Sequence, residues 1–263
     1  MQLAAAALLT AALTLPTPVL PPPTYDMQAE GVRPGECVRI EDLLEEGIRR
    51  VEGYFGASFP DRFAVEVLPT RAAFDKAQPP EWGLGAAQCW VVATGEARAL
   101  RLLAPSAWRA EACEHDPADS GALRRLLTHE LVHVFHGQHH PSSPDLSDAE
   151  DIGWFVEGLA VLVSGQLDAG QRERAFEALA AHAEPEHLAD AWKGPYRYGV
   201  AGTIVEVLVE RLDRRKLMSV LAATSSEQLL SAAHLDEAGL LAAWRERVTA
   251  DHDRASVPEA ARR

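Results

Sequence analysis

The sequence has little cysteine and no surplus of positive charge. Its 25 Lys and Arg residues are outnumbered by 39 Asp and Glu, so the formal net charge is −14. This charge argues against nucleic acid and anionic membrane surfaces as partners. The three cysteines, Cys37, Cys89 and Cys113, are not spaced like metal ligands. Cys89 lies in an apolar, strand-like stretch, where a buried free thiol is the commonest state. In an exported protein one disulfide is possible, and we favour Cys89 with Cys113, although the sequence does not fix the pairing.

No hydrophobic run is long enough for a stable membrane span. The apolar stretch from Leu3 to Leu15 is too short to cross a bilayer and is typical of the h-region of a signal peptide. No basic residue precedes it, so a disordered leader rich in Ala and Pro is the alternative. We interpret residues 1–23 as one of these two and expect export to the periplasm or the medium.

The remaining chain predicts a single α+β domain. We assign residues 24–36 to a linker, 37–250 to the domain and 251–263 to a tail. Periodicity predicts an amphipathic helix from Glu41 to Gly56, a strand from Phe63 to Pro69, and a hairpin that turns at Thr94-Gly95-Glu96. We therefore expect a small mixed N-terminal sheet with helices packed on it, followed by a mainly helical C-terminal half. The sequence does not indicate an oligomeric state.

The most informative stretch is Thr128-His129-Glu130-Leu131-Val132-His133. On a helix, His129 and His133 project from one face about 6 Å apart along the axis, which lets both imidazoles bind one zinc ion. Glu130 lies on an adjacent face, where it can act as a general base toward water rather than as a ligand. Asp116, Asp119 and Ser120 are candidate N-caps for this helix, and Gly137 is a candidate stop.

A third ligand is expected from Trp154-Phe155-Val156-Glu157-Gly158-Leu159-Ala160. Glu157 opens a second apolar helix and completes a His₂Glu set, the arrangement of catalytic zinc with a fourth position left for water. The other interpretation of Glu157 is a helix-start carboxylate favoured by the helix dipole.

Together the two motifs resemble the gluzincin clan of zinc metallopeptidases. The resemblance is closest to bacterial peptidase MA-like domains, which carry H-E-x-x-H followed by W-x-x-E-G-x-A. It implies a zincin-like fold in which an edge strand above the zinc cleft pairs with extended peptide or protein substrate. One strand of the predicted hairpin is the candidate edge. No G-x-M-E-N stretch precedes the zinc motif, which disfavours aminopeptidase action and favours an endopeptidase.

A different third ligand is offered by His139. Metzincins use H-E-x-x-H-x-x-G-x-x-H, and His139 falls on its last position. However, His136 stands where that pattern has glycine, and Met218 lies in an apolar helical stretch rather than in a Met-turn. We therefore favour Glu157, and interpret His136, His139 and His140 as a polar helix end.

The resemblance also implies a tyrosine that donates a hydrogen bond to the oxyanion. Tyr198 fits the start of the helix that runs to Leu212, and Tyr196 is the alternative. Arg197, between them, is a candidate for binding a carboxylate. The sequence thus predicts zinc held by His129, His133 and Glu157, with Glu130 as base and Tyr198 as oxyanion donor. The alternative function is a non-catalytic zinc-holding domain that binds peptides or partners.

Overall fold

The computed structural model describes residues 24–79, 88–141 and 151–256. The strands are β1 (Tyr25–Gln28), β2 (Phe63–Leu68), β3 (Ala93–Glu96) and β4 (Ala99–Leu103). The helices are α1 (Pro34–Phe55), α2 (Arg71–Ala77), α3 (Pro105–Glu111), α4 (Ser120–His139), α5 (Gly153–Ser164), α6 (Ala169–Ala180), α7 (Arg197–Val209), α8 (Arg214–Val220), α9 (Ser226–Ala232) and α10 (Glu237–Ser256). The expected α+β class, with a small N-terminal sheet and a mostly helical C-terminal half, is confirmed.

The sheet has the order β1-β2-β4-β3 and is mixed. β1 and β4 run parallel to β2 on either side of it, and β3 runs antiparallel to β4 at one edge. Buried and half-buried residues alternate along β2, as expected for a strand with one face on the core. The edge strand β3 packs against α4, so the open edge of the sheet lies beside the helix that carries the histidine motif.

Helices α4, α5 and α7 form the centre of the molecule. α5 packs against both α4 and α7, and almost every residue of α5 is buried. A Cβ atom at Gly158 would meet the backbone oxygen of Ala201 on α7, so only glycine allows the two helices to come this close. The glycine of the second motif therefore has a packing role next to Glu157.

Buried tryptophans anchor the core, and each has a partner for its indole N–H. Trp108 donates to the backbone oxygen of Leu103, Trp154 to the hydroxyl of Ser226, and Trp244 to the hydroxyl of Thr203. Such pairing removes the cost of burying a polar group. The buried face of α10 is formed by Leu240, Leu241, Trp244 and Val248.

A disulfide fixes the segment that leads into β3. Cys89 is bonded to Cys113, the pairing we favoured, and Cys37 is free. The Cys113 N–H also donates to the backbone oxygen of Cys89 at 3.1 Å. Arg71 donates to the backbone oxygen of Val91 at 2.6 Å. The start of the edge strand is therefore held by covalent and polar contacts.

Several boundaries differ from those expected. The proposed linker 24–36 is wrong, because it contains β1 and the start of α1. The hairpin turn lies at residues 97–98, and Gly95 belongs to β3. α4 continues through Gly137 to His139, and α10 extends six residues into the expected tail, ending at residue 256. A helix end and a strand register depend on tertiary packing, which local propensity does not contain.

The predicted leader, residues 1–23, lies outside the described residues. None of the helices within the described ranges combines the length and the apolar character needed to cross a bilayer.

Candidate metal centre

Helix α4 presents both histidines to the interior. The Asp119 side chain caps the helix by accepting from the Ala122 N–H at 2.9 Å, one of the expected caps. From Leu127 to Gly137 every residue is buried, including His129, Glu130 and His133. Charged and polar side chains at such depth need partners, so the surroundings of these residues decide what they do.

The third member of the group comes from α5. The Glu157 carboxylate oxygen Oε2 lies 3.3 Å from Nε2 of His129 and 3.8 Å from Nε2 of His133, and the two nitrogens are 3.0 Å apart. In a tetrahedral zinc site with bonds of about 2.0–2.1 Å, neighbouring ligand atoms are about 3.3 Å apart. The three atoms therefore have the spacing of ligands that share one small ion.

Within the described residues this is the single group of three His, Cys, Asp or Glu side chains close enough to hold a metal ion. It is assembled from two helices, α4 and α5, and the sequence predicted all three members. His129, His133 and Glu157, which we call the metal group, thus form a buried group that can hold a metal.

A glutamine that the sequence did not indicate supports His129. Nδ1 of His129 lies 2.8 Å from the side-chain oxygen of Gln166. An amide oxygen only accepts, so Nδ1 carries the proton and Nε2 of the neutral ring keeps its lone pair for a metal. Gln166 directly follows Gly165, the left-handed C-cap of α5. The sequence feature that could have pointed to Gln166 is its position directly after the helix that carries Glu157.

Glu130 is buried beside this group without belonging to it. Burial raises the pKa of its carboxyl to about 7, although the charge of His129 and a hydrogen bond from the Gly95 backbone act in the opposite direction. A Cβ atom at Gly95 would collide with the backbone of Glu130, so β3 and α4 touch here. Glu130 therefore lies between the metal group and the sheet edge.

The edge strand directs backbone groups outward at the same place. Leu103 N–H donates to the Val92 oxygen, so Val92 and Leu103 form a hydrogen-bonded pair. Along the antiparallel β3–β4 ladder such pairs alternate with pairs that are not hydrogen-bonded to each other. Ala93 and Gly95 then occupy the other class of pair, and their N–H and C=O groups point away from β4. The Gly95 N–H is one of these outward donors and reaches Glu130.

The metal-group side chains influence one another's protonation. Burial lowers the pKa of His133 to about 4. Burial alone would also lower the pKa of His129, but hydrogen bonding to Glu157 and the nearby carboxylate charges raise it overall. Burial alone would raise the pKa of Glu157, but the charges of His133, His129 and Arg197 lower it overall. The carboxylate is thus kept in the ionised form that binds a cation.

Arg197 and Tyr198 are the first two residues of α7, and both lie close enough to Glu157 to interact with its charge. Burial and the charges of Glu157 and Glu130 raise the pKa of the Tyr198 phenol, although the charge of Arg197 and a hydrogen bond with its side chain act in the opposite direction. Tyr196 has a different position: it precedes α7, packs at the edge of the core, and its ring lies 5.3 Å from the Arg174 guanidinium carbon. Of the two tyrosines, Tyr198 is the one influenced by the metal-group carboxylates.

The other histidines near the motif lie elsewhere. Nδ1 of His139 is 2.8 Å from the Phe135 backbone oxygen, so this side chain bonds back to its own helix. His136 and His140 donate to the backbone oxygens of Leu221 and Ala223. His139 is not among the residues that could share an ion, as the preference for Glu157 predicted.

No protein-family model matches the chain, and neither the search of curated proteins nor the search of solved structures finds a significant match.

Proposed function

We propose that this protein is a zinc-dependent peptidase of the gluzincin type. The observation that carries the proposal is the triangle of His129 Nε2, His133 Nε2 and Glu157 Oε2, with sides of 3.0, 3.3 and 3.8 Å and a buried carboxyl, Glu130, next to it. A site that only holds a metal needs the triangle but has no use for a second buried carboxyl.

Zinc is the metal that suits these donors. Two imidazoles and one carboxylate are typical of catalytic zinc, whereas magnesium and calcium prefer oxygen ligands alone. When bound here, zinc supplies a Lewis acid that polarises a carbonyl and lowers the pKa of water. Gln166 supports this assignment because it leaves the Nε2 lone pair of His129 available.

Residues of the chain carry out proton transfer, stabilisation of the oxyanion and binding of the peptide. Glu130 takes the proton of the attacking water and passes it to the leaving amine. Tyr198 donates to the oxygen on which negative charge develops. The outward N–H and C=O groups of Ala93 and the outward C=O of Gly95 bind an extended peptide as an added strand, which brings its scissile bond beside Glu130.

The test is a peptide-library cleavage assay on zinc-loaded protein, with Glu130→Gln as the key variant. Gln keeps the shape of Glu but accepts no proton, so zinc content should be unchanged and cleavage should fall by about 10²–10⁴-fold. Equal cleavage by the variant would show that Glu130 is not the base. If the zinc-loaded protein cleaves nothing but binds peptides tightly, the non-catalytic alternative is correct.

We further propose that the protein is exported. The Cys89–Cys113 disulfide supports this, because such bonds persist in oxidising compartments. Mass spectrometry should find a mature N-terminus beyond the run Leu3–Leu15 in the extracytoplasmic fraction. An intact Met1 in the cytoplasmic fraction would refute this.

A further inference from the structure

The guanidinium group of Arg197 lies among three aromatic rings. Its central carbon is 5.4 Å from the ring centroid of Trp90, 5.7 Å from that of Trp192 and 5.2 Å from that of Tyr198. At such distances each ring attracts a cation through its quadrupole. The rings thus restrict the flexible arginine side chain to one place.

Trp90, Trp192 and Tyr198 form an aromatic cage around Arg197, and both halves of the fold contribute to it. Trp90 precedes the edge strand β3, next to the disulfide-bonded Cys89. Trp192 and Tyr198 flank the start of α7, which packs on the helix that carries Glu157. The cage therefore joins the segment that leads into the edge strand β3 to the start of α7.

Arg197 has no ion-pair partner within 4 Å among the described residues. Among the ion pairs of the described residues none involves Arg197, and Glu157, although close enough to be influenced by its charge, lies beyond 4 Å. The Tyr198 hydroxyl accepts a hydrogen bond from Arg197. Aromatic faces attract the cation but provide no strong acceptors for its other N–H groups.

The position is also unfavourable for a cation from the standpoint of folding. Arg197 is the first residue of α7, where the positive end of the helix dipole repels positive charge. Basic residues are the minority among the charged residues of the chain, 25 against 39 acidic ones. A caged arginine without an ion-pair partner, at the positive end of a helix and beside the metal group, is explained by a ligand anion.

We propose that Arg197 binds a carboxylate of the peptide substrate and thereby orients the peptide in the site. This inference rests on the proposed peptidase function. A planar guanidinium pairs with a carboxylate through two parallel hydrogen bonds, which gives both affinity and orientation. The carboxylate is either the C-terminus of the peptide, in which case the enzyme trims chain ends, or an Asp or Glu side chain, in which case it cuts within chains.

The experiment measures binding without cleavage. Zinc-loaded Glu130→Gln protein is equilibrated with four matched N-acetyl tripeptide libraries, and bound peptides are quantified by mass spectrometry. The first pair of libraries lacks acidic residues, and one member ends in a free acid whereas the other ends in an amide. Both members of the second pair end in an amide, and one contains Glu at a position where the other contains Gln. Because a hydrogen bond to a charged group contributes about 1.5–3 kcal/mol, we expect one carboxylate library to be retained about 10–100-fold better than its neutral partner.

The variants separate recognition from folding. Adding Arg197→Gln should abolish the preference without changing zinc content or the retention of neutral peptides. Arg174→Gln is the matched control, since Arg174 also lies over a tyrosine ring but beside Tyr196. It should leave the preference unchanged. Equal retention of acidic and neutral peptides, absence of any retention, or a preference that survives Arg197→Gln would overturn the inference. Failure of the peptidase proposal would instead appear as absent cleavage by the wild-type protein.

Discussion

His129 donates a hydrogen bond from Nδ1 to the side-chain oxygen of Gln166 at 2.8 Å. The bond joins the helix that carries the histidine pair to the turn after the helix that carries Glu157. It fixes both the tautomer and the orientation of one proposed ligand. The contact therefore couples the way the two helices pack to the capacity of the site to bind metal.

We predict that Gln166→Met lowers zinc affinity by about 10–100-fold, the usual cost of losing a partner behind a ligating histidine. Gln166→Glu keeps an acceptor at the same distance and should retain most of the affinity. Competition with a chromophoric chelator measures both. Unchanged affinity in Gln166→Met would mean that the hydrogen bond does not orient the ligand.

A second prediction concerns the identity of the ligands. Purified protein should contain about one zinc per chain, and His129→Ala or Glu157→Ala should lose most of it. His139→Ala should keep its zinc, because its ring bonds back to the Phe135 oxygen. Metal analysis after dialysis gives the answer. Loss of zinc in His139→Ala with retention in Glu157→Ala would favour the metzincin arrangement.

Residues in regular local patterns could be predicted from the sequence, and those recruited by tertiary contact could not. The spacing of His129 and His133 fixes a shared face as soon as the segment is helical, and Glu157 was identified from its motif. Gln166 and Gly95 reach the site only because helices and strands meet there. The strand Tyr25–Gln28 was missed because four residues are too few to display alternation, and its pairing with β2 is a long-range contact.

The close contact between β3 and α4 gives a third prediction. Gly95→Ala places a methyl group against the Glu130 backbone, which has no flexible side chain that could move aside. We expect a loss of about 1–3 kcal/mol in the free energy of unfolding, the usual cost of overpacking. Gly53→Ala is the control, because its Cβ would meet nothing within 4 Å, and it should gain up to about 1 kcal/mol from helix propensity. Urea denaturation compares the two, and an unaffected Gly95→Ala would contradict the contact.

The disulfide provides a fourth prediction. Cys89 and Cys113 are 24 residues apart, and closing a loop of that size stabilises a protein by about 3–4 kcal/mol through the entropy of the unfolded chain. Replacing both with Ser should cost about that amount in urea denaturation. Cys37→Ser is the matched control, since Cys37 is free, and should change stability little. Equal effects of the two changes would show that the bridge adds no stability.

The last prediction distinguishes the two tyrosines at the start of α7. Tyr198 is influenced by the charges of Glu157 and Glu130, whereas the Tyr196 ring lies against Arg174. If Tyr198 is the oxyanion donor, Tyr198→Phe should lower kcat by on the order of 10²–10³-fold, while KM changes little, because the hydrogen bond forms only as charge develops. Tyr196→Phe removes an equivalent hydroxyl from the same stretch and should keep nearly full activity.

Both tyrosine variants should retain zinc and thermal stability, because each loses a single hydroxyl and keeps its ring. That leaves kcat as the deciding measurement, made on a substrate from the peptide library. A large loss in Tyr196→Phe with little change in Tyr198→Phe would transfer the role to Tyr196. A loss in KM alone for Tyr198→Phe would make Tyr198 a substrate-binding residue, since an interaction equally strong in the ground state and the transition state leaves kcat unchanged.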